Sequence, residues 1–215
     1  TRAWIEGSLE AGADLPDRDG ICLEAGDLEP PLRLCADSLE RSGYGHLAGQ
    51  RLADVRRRLA TFGLTLARLD IRQEAGRHTE ALAAILEHEG AGAYREWSEE
   101  ARVAFLAGAL RAPRPAALPV FEAPAEVRDT LDTFRTIAAL PRSSLGAYVI
   151  TMASQASDVL AVLLLQQMAG LARPLRVVPL FETSADLGRA GAVLDSLLGH
   201  DWYRERIDGR QEVMI

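Results

Sequence analysis

The stretch Arg68–Leu82, "RLDIRQEAGRHTEAL", decides the fold. An apolar segment runs into three strongly polar residues, Arg72, Gln73 and Glu74. Helical spacing follows at once, with Leu82, Ile85 and Leu86 at i, i+3 and i+4. Just upstream, "LTLARLDI" (64–71) alternates apolar and other residues with a period near two and predicts a strand. A strand passing directly into a helix is the unit from which parallel sheets are built.

The same succession recurs downstream. "AYVITMA" (147–153) and "LRVVPLFE", with a strand near 175–181, are each followed by helical text; "QEVMI" (211–215) predicts a fourth strand. The helices after the second and third strands are expected to open at Ser157, as N-cap, and near Ser184, the former stopping near Gly170. Further helices are expected from Ser98 and over "AEVRDTLDTFRTIAAL", joined by the proline-rich "RAPRPAALPVFEAP". Apolar runs such as Val177–Leu180 suit strands covered on both faces, so the expected class is α/β with parallel strands. Residues 1–60 read as a mainly helical segment and residues 61–215 as the strand-bearing part.

In parallel α/β folds, functional residues gather at the carboxyl ends of strands. That rule selects Arg72, Gln73 and Glu74 after the first strand, Ser154, Gln155, Ser157 and Asp158 near the second, and Glu182 after the third. A plainer reading stands beside it. Arg72 and Glu74 could pair with each other or cap the next helix, and Glu182 could be an anion favoured by the helix near Ser184.

Hydrophobic residues at 48 % with 26 % charged fit a globular domain, and the formal charge of −7 argues against a nucleic-acid partner. The basic cluster Arg51, Arg56, Arg57 and Arg58 reads as a solvated helix face, with an anion site as the minor alternative. No apolar run approaches the ~18–20 residues of a membrane span, so no membrane association and a cytoplasmic location are expected. Cys22 and Cys35 lack a CxxC spacing and read as reduced structural thiols. All 24 basic residues are arginine, so chemistry that needs a lysine amine cannot come from these residues.

Six ordered segments resemble the phosphoenolpyruvate carboxylase family: 61–82, "YREWSEE" (94–100), "LDTFRTIAAL" (131–140), "AYVITMASQASDVLAVLLLQ" (147–166), "PLRVVPLFETSADL" (174–187) and "DWYRERIDGRQEVMI" (201–215). Departures are small: Ala75, Ala156 and Arg210 stand where the family often has serine, proline and lysine. The resemblance implies a partial TIM-like parallel barrel with extra helices, belonging to a longer enzyme that is usually a homotetramer.

It also implies the chemistry. Phosphoenolpyruvate passes its phosphoryl group to bicarbonate, giving carboxyphosphate and the enolate of pyruvate, and the released carbon dioxide recombines with the enolate to form oxaloacetate. By position in the family's motifs, Arg72 would contact phosphate and carboxyphosphate. Glu182 would be one of two carboxylates holding Mg2+, for which Mn2+ could substitute, while Leu180 and Met214 would pack around the substrate methylene. The second carboxylate, a lysine, the catalytic histidine and a mobile glycine-rich loop belong to family segments outside this sequence. The 215 residues alone are therefore expected to be inactive. His78 reads as structural. A non-catalytic subunit or metabolite-binding descendant of the same fold is the alternative; an open nucleotide-binding fold is disfavoured because no glycine-rich phosphate motif follows any strand.

Overall fold

The computed structural model describes residues 24–65, 67–113, 116–171 and 173–215. The chain divides into two compact units after Arg68. The first contains helix α1 (Ala25–Arg41), short helical turns over residues 45–52, and helix α2 (Ala53–Phe62). Arg51, Arg57 and Arg58 are exposed as expected, and Arg58 pairs with Asp54 one turn away at 2.8 Å. Cys35 is a free thiol, as expected, and is exposed; Cys22 lies outside the described residues.

The second unit carries the sheet. Strand β1 (Leu69–Glu74) leads into α3 (Ala75–His88), then α4 (Glu99–Leu110) and α5 (Ala125–Ala139). Strand β2 (Leu145–Thr151) leads into α6 (Ala156–Met168), and β3 (Val177–Pro179) is followed by α7 (Ser184–Leu198) and α8 (Asp201–Arg206). The order is β1-β2-β3, both pairings are parallel, and β2 is central. Tyr148, Ile150, Val177 and Phe181 pack with the helices in one large core. Ala147, Val149, Val178 and Leu180 form a separate apolar cluster, against which Met214 packs. Alternation along the strands thus sorts side chains to two different surroundings.

Several sequence expectations shift. The first strand is Leu69–Glu74, not 64–71, because alternation makes a strand only where a neighbour can pair, and β2 begins opposite Leu69. Residues 63–65 instead turn, with Gly63 at φ +65° and the Thr65 hydroxyl donating to the Phe62 carbonyl. It is also an edge strand with alternating exposure, so it is not covered on both faces as β2 and β3 nearly are. The fourth strand, expected at 211–215, is represented by one parallel bridge between Leu180 and Met214. The described residues therefore form a three-stranded parallel sheet with helices.

Ser157 is not the N-cap of α6. Gln155 holds that position, and Asp158 accepts from the Ser154 and Gln155 amides at 2.9 and 3.0 Å. Ser157 gives both its amide and its hydroxyl to Glu99 in the first turn of α4, at 2.9 and 2.5 Å, which ties the starts of two helices together. Ser98 does cap α4, and Thr183, one residue before the expected start, caps α7.

The β1–β2 pairing slips between Leu69 and Ile71, and there the Asp70 carboxylate accepts the Ala147 amide at 2.8 Å in place of a ladder bond. A Cβ on Gly146 would collide with that carboxylate. Gly146→Ala is expected to destabilise by about 1–2 kcal/mol by displacing Asp70. Combined with Asp70→Ala, it should cost less than the sum of the single changes, as denaturant midpoints would read out.

Candidate functional site

Of the residues selected at the strand ends, Arg72 alone reaches the second, smaller apolar cluster, through Met214. Arg72 lies opposite Val149, which lies opposite Val178, and both valines are fully buried. Leu180, 6 % exposed, bridges Met214; the Met214 amide donates to the Pro179 carbonyl and the Phe181 amide to the Met214 carbonyl, both at 3.0 Å. The guanidinium of the exposed Arg72 reaches the Met214 Sδ at 3.6 Å. Arg72, Leu180 and Met214 are thus brought together.

A thioether is a weak acceptor and carries no charge. Among the described residues Arg72 has no carboxylate partner, and Glu74 serves as N-cap of α3 by position with no side-chain cap bond. The pairing of Arg72 with Glu74 is not seen. A fixed positive charge with forked donors, set beside an apolar cluster, is suited to a phosphate or carboxylate.

Glu182 stands two residues beyond Leu180, past the end of β3. It is exposed, and no hydrogen bond or ion pair engages it among the described residues. Service to the start of α7 falls to Asp186 instead. Asp186 accepts from the Thr183 amide and hydroxyl at 3.1 and 2.7 Å, and Arg189 donates to it at 2.8 Å. The Thr183 hydroxyl, foremost, holds its carboxyl below the usual range. Glu182 is thereby left uncommitted.

As a metal donor Glu182 offers one hard oxygen. No cluster of three metal-capable side chains occurs among the described residues. A single carboxylate is a hard donor of the kind magnesium accepts, since that ion takes one or two protein carboxylates and fills its remaining positions with water and substrate.

Beside Arg72, Gln73 turns the opposite way and joins a buried chain that sequence reading did not find. The Tyr148 hydroxyl donates to Gln73 Oε1 at 2.8 Å and lies 2.8 Å from His78 Nε2, with no solvent exposure at His78 or Tyr148. Phe134 stacks on Tyr148 with centroids 5.3 Å apart. A tyrosine in an otherwise apolar strand was the available signal, since a buried hydroxyl demands a partner. This chain anchors the strand residue next to Arg72 to the start of α3.

Burial, foremost, and the neighbouring Arg77 charge pull the His78 pKa down from 6.5 to about 3. Above pH 6.5 both folded and unfolded chains hold it neutral, and it adds no pH dependence. Between 6.5 and about 3 the unfolded chain takes up a proton that the folded chain refuses, so stability falls as the pH falls. Between pH 7 and 4.5, His78→Phe is expected to lose less stability than the unaltered protein by roughly 2–3 kcal/mol, measured by denaturant unfolding.

Comparison with known proteins bears on the family of the chain. The phosphoenolpyruvate carboxylase family model matches residues 1–215. A phosphoenolpyruvate carboxylase of Pseudomonas entomophila is 51 % identical over 215 residues, all of this chain and 24 % of the relative. One from Ectopseudomonas mendocina is 49 % identical over the same length and share. A C4 phosphoenolpyruvate carboxylase of Flaveria trinervia is 49 % identical over 207 residues, 96 % of this chain and 21 % of the relative. The chain spans about a quarter of the length of these relatives. With the family model matched throughout and about half the residues shared, this chain belongs to the phosphoenolpyruvate carboxylase family.

Proposed function

We propose that the protein carboxylates phosphoenolpyruvate with bicarbonate to give oxaloacetate and phosphate, and that these residues supply part of a parallel β/α barrel around the reaction site. The observation that carries the reading is the meeting of Arg72, Leu180 and Met214 on the side of the sheet away from the main helical core, with Glu182 uncommitted close by in sequence. A sheet whose large core with the helices lies on one side suits a barrel wall, whose other side faces inward, and active sites of such barrels sit at the carboxyl ends of the strands.

Arg72 would hold the phosphate, and then carboxyphosphate, through paired guanidinium donors, fixing the acceptor oxygen in line for transfer. Leu180 and Met214 would pack on the methylene carbon. Their apolar surface excludes water, which would otherwise protonate that carbon when it carries negative charge. Glu182 would supply one oxygen ligand to Mg2+ or Mn2+. The metal, when bound, contributes Lewis-acid stabilisation of developing negative charge. An assembled homotetramer in the cytoplasm completes this reading; among the described residues no helix is long and apolar enough to cross a membrane.

Two substitutions in the intact protein test it. Arg72→Lys keeps the charge and loses the fork, so kcat/KM for phosphoenolpyruvate should fall by roughly a hundredfold. Glu182→Ala should raise the magnesium concentration for half-maximal oxaloacetate formation by at least about tenfold. Unchanged kinetics in the first case, or an unchanged magnesium requirement in the second, would remove that residue from the site.

A further inference from the structure

A cavity of about 820 Å3 opens at the amino-terminal end of β3, the opposite end from Glu182. Leu163 of α6, Leu175, Val177 and Ile207 give it an apolar lining. The charged lining residues are Arg176, Arg206, Arg210, Asp208 and Glu212. Arg176 and Glu212 neutralise each other at 2.5 Å. Arg206 donates only to the neutral Gln167 Oε1, at 3.0 Å, and among the described residues no carboxylate pairs with Arg210.

Two arginines then face one remaining acid, Asp208, in a chain whose formal charge is −7. The walls are held in place: the buried Tyr203 donates to Gln211 Oε1 at 2.6 Å, and Gln211 Nε2 donates to the Val177 carbonyl at 3.0 Å. Apolar walls with a few polar groups at one place are the general form of a small-molecule site.

We propose that this cavity binds a small organic anion, its apolar body against Leu163, Leu175, Val177 and Ile207 and its phosphate or carboxylate beside Arg206 and Arg210. The assignment is independent of the carboxylase reading, because none of its residues lies at the strand ends that carry Arg72 and Glu182.

The test is arginine modification by phenylglyoxal in the intact protein, followed residue by residue with peptide mass spectrometry. Phenyl phosphate, benzoate and inorganic phosphate are the probes. Phenyl phosphate or benzoate should slow modification of Arg206 and Arg210 by roughly tenfold. Arg128, exposed on α5, should be unaffected. Whichever of the two protects identifies the head group, and inorganic phosphate should protect less because it leaves the apolar lining uncovered. Asp208→Asn should give protection at lower probe concentration, and Arg206→Gln should abolish it at Arg210. Equal protection by inorganic phosphate, protection spread to Arg128, or no protection would overturn the proposal. So would Arg206 and Arg210 that are unreactive before any probe is added, since protein would then fill the cavity.

Discussion

The hydroxyl of Tyr148 joins the sheet to the helices. It sits on the central strand, meets His78 from α3 and donates to Gln73 from β1, so three elements share one buried polar contact. Burial raises its pKa above the usual tyrosine value, which keeps the donor proton in place at ordinary pH. Removing the hydroxyl would leave polar atoms of Gln73 and His78 in search of partners inside a packed core, which is costlier than the loss of one average hydrogen bond. Arg72 and Glu74, on either side of Gln73, inherit their placement from it.

A division of labour among side chains follows. The core packed with the helices includes large aromatic side chains, Phe134, Tyr148 and Phe181 among them, while the second cluster is built from Ala147, Val149, Val178 and Leu180 alone. Met214 packs on that cluster, and the Arg72 guanidinium reaches its sulfur. Polar duties are divided too. Asp186 serves the start of α7 and Asp158 the start of α6, which leaves Glu182 without a structural task. The charge of Arg72 is similarly unspent on any carboxylate among the described residues.

Much of the local order was legible in the sequence because it is set by neighbours in the chain. The start of α4 at Ser98, the buried Leu82, Ile85 and Leu86 of α3, and the break after α6 at Gly170 all rest on contacts within a turn or two. Features set across the chain were not legible. Ser157 bonds Glu99 fifty-eight residues away, so its expected capping role went to Gln155. The extent of β1 depended on where β2 begins. In the site, the strand-end rule reached Arg72 and Glu182 from the residues themselves, but Leu180 and Met214 look like ordinary core positions in the text and entered only through family resemblance. Their proximity to Arg72 is a product of parallel pairing, which no local pattern encodes.

The pairing of β1 with β2 spans a long loop: Asp70 meets the Ala147 amide across seventy-seven residues. The three helices between them can form from local contacts, whereas closing that loop is an entropic cost met before any strand contact rewards it. The order of events during folding is therefore biased, with helices first and the sheet later. Arg72, the residue on which the proposed chemistry turns, is fixed only when that distant pairing closes. Acquisition of the site is thus a late step in maturation of the chain, and a newly made polypeptide can carry nearly all its helix while still lacking the surface that would receive a substrate.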